Sequence, residues 1–473
     1  MKKLNKKTVP LIPDRPIKII QFGEGNFLRG FVDWMMDILN EKTEFNGNVQ
    51  IVQPLERGMG KSINDQDGLY HVLLEGIERG EKIQKTRLIT SVSGVSNPYE
   101  DYQGFLRLGE NPYLEFIFSN TTEAGIQFDE NDIGFDKTPN SFPGKLTAML
   151  YHRFQYFDGH PPTKLVIVPC ELIEKNGEKL KECLLNYVEH WSLPTSFKVW
   201  VERSILFCNS LVDRIVPGFP KDQIDKIQER IGYEDNLVVK AEPFHLWVIQ
   251  GPEEIKQMLM FKNSGLNVVL TNNLEPYRTR KVRILNGIHT AMVPIAYLNG
   301  FEEVRDVVED EEMGAFLNQI MFEEIISTLD LPQEELETYA HEVIERFRNP
   351  FINHRLLDIS LNSVAKFKVR VLPSILTYLE KYQKVPKGLM TAFAHLILFY
   401  SGKHNAITIP INDDKEVIAF FQMALNMGDL EQGVKMILSN EDLWGTDLNE
   451  KTMLSEFLKE TVKAIANDQY SSR

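Results

Sequence analysis

The segment that most restricts what this chain can become is Ile19-Ile20-Gln21-Phe22-Gly23-Glu24-Gly25-Asn26-Phe27-Leu28-Arg29-Gly30. The apolar run Ile17–Phe22 reads as a strand. It passes directly into a Gly-x-Gly turn, and a helical pattern then continues to about Leu39. Glycines at such a junction let a dinucleotide pyrophosphate approach the backbone. The helix that follows offers free N–H groups and a partial positive charge to the phosphates. The spacing is not Gly-x-Gly-x-x-Gly, because Asn26, Phe27, Leu28 and Arg29 all stand between Gly25 and Gly30. A plain tight turn is the competing reading, and the position at the first strand–helix junction favours the nucleotide-binding one.

The remaining pattern extends this start into a fold class. Val49–Pro54, Leu114–Ser119 and Lys164–Pro169 are further strand candidates, with Val199–Leu206 and Val268–Leu270 as additional ones. Strands alternating with helices predict an α/β, Rossmann-like, doubly wound sheet. From Pro276 the texture changes to amphipathic helical patterns: Lys281–Leu298, Glu311–Asp330, Gln333–Phe347, Ser374–Tyr382, Leu389–Tyr400 and Asp414–Leu425. Pro332, Pro350, Pro373 and Pro386 punctuate them. At 473 residues two domains are expected. The expected division is a nucleotide-binding α/β domain over 1–272 and a mostly α-helical substrate-binding domain over 273–473.

Charge and cysteine usage narrow the function classes. A net charge of −15 argues against nucleic acid and anionic membranes as partners. No apolar run approaches the length of a membrane span. Lys2, Lys3, Lys6 and Lys7 are followed by Pro10 and Pro13, where a signal peptide would need an apolar stretch. The cysteines, Cys170, Cys183 and Cys208, lack metal-ligand spacing and suit a reduced, cytoplasmic setting. No metal site is expected, and the oligomeric state stays open. If the ligands are anionic, so acidic a chain must supply positive charge locally. The run Tyr277-Arg278-Thr279-Arg280-Lys281-Val282-Arg283 is one place where it does.

Two sets of residues carry candidate chemistry. The second strand should end near Gln53, and Glu56 is the nearest acid for a ribose hydroxyl, with Arg57 beside it. That pairing leaves NAD against NADP open. The second set lies in Lys281-Val-Arg-Ile-Leu-Asn286-Gly-Ile-His289. At about 100° per residue, an α-helix places Arg278, His289 and Asn286 at roughly 60°, 80° and 140° from Lys281, on one arc. A lysine with neighbouring cations can exchange a hydroxyl proton, an asparagine amide can donate to a developing alkoxide, and a histidine can orient the oxygen. A basic helix with a buried Asn–His pair is the bland alternative.

Together these segments resemble the long-chain polyol-specific, or mannitol dehydrogenase, family over nearly the full length. Gly23-Glu24-Gly25-Asn26-Phe27-Leu28-Arg29 matches its Gly-x-Gly-x-Phe-x-Arg turn. Lys281, Asn286 and His289 match its Lys-x4-Asn-x2-His signature. Ser119–Gly125, Val212–Ile215, Glu242–Phe244 and Arg346–Pro350 are similar too. The resemblance implies an NAD-dependent, metal-independent oxidoreductase. It implies cofactor contacts at Phe22, Gly23, Gly25, Asn26, Phe27, Arg29, Glu56, Thr122 and Glu123. It makes Lys281 the general acid and base, with Asn286 at the oxyanion and His289 on the reacting oxygen. Asp213 and Lys366 become substrate contacts. Their bland readings are an ion pair with Arg214 and a surface charge.

Two departures from the mannitol-type pattern bear on the substrate. Cys170-Glu171-Leu172 stands where those enzymes carry Cys-(Asp/Glu)-Asn, so the second oxyanion asparagine is missing. Arg278 stands where they carry a glutamate, and a guanidinium suits a carboxylate. The expected substrate is therefore a small sugar acid, with Arg29, Lys145 and Arg370 as alternative carboxylate partners. Polyol or fructuronate substrates call for the asparagine that Leu172 replaces. A silent NADH sensor would be expected to lose Lys281 or Asn286, and both are present.

Overall fold

A computed structural model describes residues 1–122, 124–404 and 407–471. The chain divides into two compact units, Met1–Leu274 and Glu275–Arg473. In the first unit six strands form one all-parallel sheet. They are β1 (Ile17–Phe22), β2 (Asn48–Val52), β3 (Val92–Ser96), β4 (Phe116–Ser119), β5 (Leu165–Pro169) and β6 (Ile205–Phe207). Their order is β3-β2-β1-β4-β5-β6. This is the doubly wound dinucleotide-binding order, with its topological switch point between β1 and β4.

Alternation along the strands builds two cores. Ile19, Phe116, Phe118, Val166 and Val168 pack with Val32, Met35 and Leu39 on one face. Ile20, Phe22, Ile117, Leu165 and Ile167 pack with Leu146, Met149 and Leu184 on the other. Successive side chains point to opposite faces, and both faces are covered by helices. That is why β4, β5 and β6 read as nearly continuous apolar runs.

The helix expected to run unbroken from the glycine turn is two helices, α1 (Asn26–Gly30) and α2 (Val32–Lys42). At the break the Gly30 carbonyl accepts from Arg214 Nη1 at 2.8 Å, and the Arg29 carbonyl accepts from the Tyr70 hydroxyl at 3.1 Å. Distant side chains thus satisfy carbonyls that a continuous helix would use itself. Tyr70 belongs to an antiparallel hairpin, Tyr70–Glu78 with Glu81–Ile89, that the sequence reading did not anticipate. Its two-residue turn, Arg79-Gly80, has φ of 55° and 79°, as a type I′ turn requires.

A strand over Val199–Leu206 is corrected: Thr195–Ser204 is helical, and β6 begins only at Ile205. Phe197, Trp200 and Val201 are buried at helical spacing, which overrides the β-branched content of the segment. Val268–Thr271 is a strand, in a separate sheet with Asn209–Asp213 and Leu246–Gln250. Helices of this unit include α3 (Phe142–Tyr156), capped by Ser141, and α4 (Asn176–His190).

The second unit is mostly helical. It opens with α5 (Glu275–Arg280), but Lys281–Asn286 is a π-helical turn, and α6 covers only Gly287–Leu298. The unbroken α-helix expected over Lys281–Leu298 is corrected accordingly. A second π turn, Ile320–Ile325, interrupts the pattern that began at Glu311. The other helices used below are α7 (Gln333–Phe347), α8 (Ser363–Arg370) and α9 (Lys387–Phe399). Helices α6 and α9 are buried nearly all round and form the centre of the unit. Glu324 caps α9, accepting from Gly388 N at 2.8 Å and Leu389 N at 2.7 Å. Among the described residues no helix is long and apolar enough to cross a membrane.

Candidate active site

In the first unit, a cleft of 870 Å³ opens at the carboxyl ends of β1, β2 and β4, lined among others by Gly23, Glu24, Gly25, Leu55, Thr122 and Ser141. Its volume is that of a cofactor site. Gly23 has φ +120°, and a Cβ there would stand 2.8 Å from the Asn120 carbonyl, so only glycine fits. Gly25 has an ordinary φ of −67°. A Cβ at Gly25 would meet nothing within 4 Å, so its small size keeps open space in front of the backbone. That is a cradle a ligand can fill.

The residues around the glycines build this turn rather than line the cleft. Arg29 is fully buried. It donates to the Glu24 carbonyl at 3.1 Å, the Leu237 carbonyl at 2.6 Å and Asn26 Oδ1 at 2.7 Å. Its expected direct contact with a cofactor or carboxylate is therefore corrected to a structural clamp. Asn26 faces Arg29 and Gly218, whose Cβ would lie 2.5 Å from Asn26 Nδ2. Phe22 is a core side chain between Phe105 and Phe142, and Phe27 stacks on Phe31. Beneath the turn, Gln21 Nε2 donates to the Gly23 carbonyl at 3.1 Å and to Asp33 Oδ2 at 3.4 Å. The Tyr70 hydroxyl, whose single proton is shared with the Arg29 carbonyl, lies 2.9 Å from the same Asp33 oxygen. Burial pushes the Asp33 carboxyl up to about 7, against the hydrogen bonds from Tyr70 and Gln21.

The loop after β4 is held by a residue to which the sequence reading gave no role. Glu171, buried at the end of β5, accepts from Thr121 N at 2.9 Å, Thr121 Oγ1 at 3.0 Å and Ser119 Oγ at 2.9 Å. Burial raises its carboxyl. The signal was there: a carboxylate two residues after a wholly apolar strand. The next residue in this loop, Thr122, lines the cleft at φ +87°, a strained setting for a β-branched residue. Glu123 lies outside the described residues. Glu56 is exposed and does not line the cleft, while Glu24 does. Glu24 Oε1 accepts from Met59 N at 3.3 Å, and burial raises its carboxyl. Asp213 is buried at the end of its strand. Arg214 donates to the Glu242 carbonyl at 2.9 Å and stacks over Trp34.

In the second unit the Lys–Asn–His segment is wound differently from the α-helix assumed above. A π turn closes on residue i+5 as an α-helix closes on i+4, which moves Asn286 from roughly 140° to within roughly 50° of Lys281. Asn286 is thus brought nearly over Lys281. Gly287 lets α8 approach: a Cβ there would stand 3.2 Å from the Arg370 carbonyl. His289 is buried, stacked on Phe347 at 4.1 Å and edge-on to His354 at 4.8 Å. Its pKa lies well below the usual range, from burial first and then from His354, Arg346, Arg370 and Lys366. The imidazole is therefore neutral at neutral pH. Its Nε2 is buried with no hydrogen-bond partner among the described residues.

This is the local positive charge that an acidic chain needs. Lys366 Nζ donates to the Ile359 carbonyl at 2.9 Å, and Arg370 Nη1 reaches Thr290 Oγ1 only at 3.4 Å. Of the basic run, Arg280 is neutralised by Glu335 and stands over Tyr339, while Arg283 donates to Ser374 Oγ at 3.1 Å. Arg278 is half-buried. Its Nε is 3.9 Å from Glu275 and makes no hydrogen bond among the described residues. Lys145 is fully buried, donates to the Asn140 carbonyl at 2.7 Å and sits over Tyr99. It is thereby removed as a carboxylate partner. No cluster of metal-ligating side chains occurs among the described residues.

Comparison with known proteins gives consistent relatives. Residues 17–262 match the mannitol dehydrogenase Rossmann domain, and residues 273–466 match the mannitol dehydrogenase C-terminal domain. The altronate oxidoreductase of Bacteroides thetaiotaomicron is 44% identical over 467 residues, 98% of this chain and 97% of that protein. That of Bacillus subtilis is 46% identical over 458 residues, 96% and 94% of the two chains. Among solved structures, D-sorbitol dehydrogenase in substrate-free form superposes with a TM-score of 0.82 at 20% identity, covering 99% of each chain. Pseudomonas fluorescens mannitol 2-dehydrogenase, in a ternary complex with NAD and D-mannitol, superposes with a TM-score of 0.72 at 20% identity, covering 99% and 98%.

Proposed function

The chain belongs to the mannitol dehydrogenase family, and from that premise we propose that it interconverts D-tagaturonate and D-altronate with NAD(H), a step in hexuronate breakdown. The observation that carries the activity is identity of 42–46% with altronate oxidoreductases along nearly the whole chain. The cations gathered around a neutral His289 support a substrate that bears a carboxylate.

Gly23, Gly25, Glu24 and Thr122 would hold the dinucleotide, with Glu171 and Arg29 fixing the loops that present them. Bound NADH supplies the hydride for the keto carbon. Lys281 delivers the proton to the keto oxygen in reduction and takes it back in oxidation. Asn286, brought close by the π turn, donates to that oxygen as charge develops on it. His289, neutral and with a free ring nitrogen, holds the same oxygen and fixes its direction. Asp213 and Lys366 contact substrate hydroxyls. With Arg29 and Lys145 committed elsewhere, Arg278 and Arg370 are the two cations for the carboxylate. The missing amide at Leu172 leaves Asn286 as the oxyanion donor. A reduced, cytoplasmic setting belongs to the proposal, supported by three free, buried cysteines.

The test is the product. Incubation with D-tagaturonate and NADH should yield D-altronate, identified by NMR, with NADH consumed one for one. Formation of another sugar acid, or none, would overturn the substrate assignment.

A further inference from the structure

In a doubly wound sheet the acid that reads the adenosine ribose ordinarily stands at the end of the second strand. The loop after β2 is built differently here. Glu56 is exposed, and its carbonyl is occupied by Gln53 Nε2 at 3.1 Å. An acid enters the same loop from the glycine turn instead. Glu24 Oε1 accepts from Met59 N at 3.3 Å. A Cβ on Gly58 would lie 2.1 Å from that oxygen, and one on Gly60 would lie 2.7 Å from Gln53 Oε1. Neither glycine is in the left-handed region. They are needed for space, and in one case the space is the one that the Glu24 carboxylate fills. Glu24 also lines the cleft.

We propose that Glu24, and not Glu56, is the carboxylate that reads the 2′ position of the adenosine ribose and so selects NAD(H) over NADP(H). Met59 N holds the carboxylate in place at the cleft wall, where it can accept from the 2′-hydroxyl. A 2′-phosphate would bring like charges together at a partly desolvated carboxylate. This rests on the NAD-dependent reading given above.

The test is binding, so it does not depend on the sugar substrate. Dissociation constants for NADH and NADPH are measured by fluorescence titration for wild type, Glu24→Gln and Glu56→Gln. The preference for NADH should fall at least tenfold in Glu24→Gln, mainly through tighter NADPH binding. An unchanged preference in Glu24→Gln, or one that moves only in Glu56→Gln, would overturn the proposal. So would equal weakening of both cofactors, which marks a purely structural carboxylate. Wild-type protein that binds neither dinucleotide would overturn the cofactor reading itself.

Discussion

Replacing Asp33 by asparagine tests the polar floor beneath the glycine turn. Asp33 is fully buried, and burial is the main reason its carboxyl is pushed up to about 7. Arg29 lies nearby, but its donors go to Glu24, Leu237 and Asn26, so it gives Asp33 no direct hydrogen bond. In the unfolded chain the group titrates near its ordinary value of about 3.9. Between those two values the folded state binds more protons than the unfolded state, so stability falls as pH rises. The advantage of the neutral form is fully present below about pH 4 and is gone above about pH 7. About three pKa units correspond to roughly 4 kcal/mol, an upper figure for the cost of the ionised group at pH 8. Asparagine stays neutral throughout and can still accept from the Tyr70 hydroxyl. The hydrogen bonds from Tyr70 and Gln21 are already contained in that net shift. Asp33→Asn should therefore gain on wild type as pH rises, by about 2–3 kcal/mol between pH 5 and pH 8. Urea unfolding of both proteins at pH 5, 6.5 and 8 reads this directly. A stability difference that does not change with pH, or that favours wild type as pH rises, would refute a neutral Asp33.

Lys281→Ala should lower kcat by about 10²–10⁴-fold while the Kd for NADH is unchanged, and near-normal turnover would exclude Lys281 as the acid–base group. Arg278→Leu and Arg370→Leu separate the two carboxylate partners. The true one should raise KM for the keto acid by about tenfold or more, as loss of a charge-assisted pair of about 1.5–3 kcal/mol requires. If neither KM moves, the carboxylate binds elsewhere. Gly23→Ala should weaken NADH binding and cost about 1–3 kcal/mol of stability, because it forces alanine to φ +120° against the Asn120 carbonyl. A variant that binds NADH as well as wild type would show that the turn relaxes.

Much of this was legible because the relevant physics is local. Ile17–Phe22 had to be a strand, and Gly23 a turn, on patterning and φ alone. Gln333–Phe347 matches its helix because its apolar spacing is unbroken. The failures came where distant residues decide. The break at Phe31 depends on Arg214 and Tyr70, which lie far along the chain. The π turn at Lys281–Asn286 carries no period that a helical wheel can register. Arg29 looked like a ligand contact because it is charged and next to the turn. Its burial could be known only from Leu237, which takes its guanidinium. Glu171 was visible as a residue, but its three hydrogen bonds to the loop after β4 were not.

The most direct measurement is NADH oxidation by the purified protein with D-tagaturonate, D-fructuronate and fructose each as sole acceptor, with NADPH run in parallel. Fast turnover on tagaturonate with NADH, and little on the other pairs, is the expected result. Preferred turnover on fructuronate or fructose would keep the family and the Lys281 chemistry but contradict the substrate. NADH binding without turnover on any acceptor would contradict the enzymatic reading and favour a silent NADH sensor.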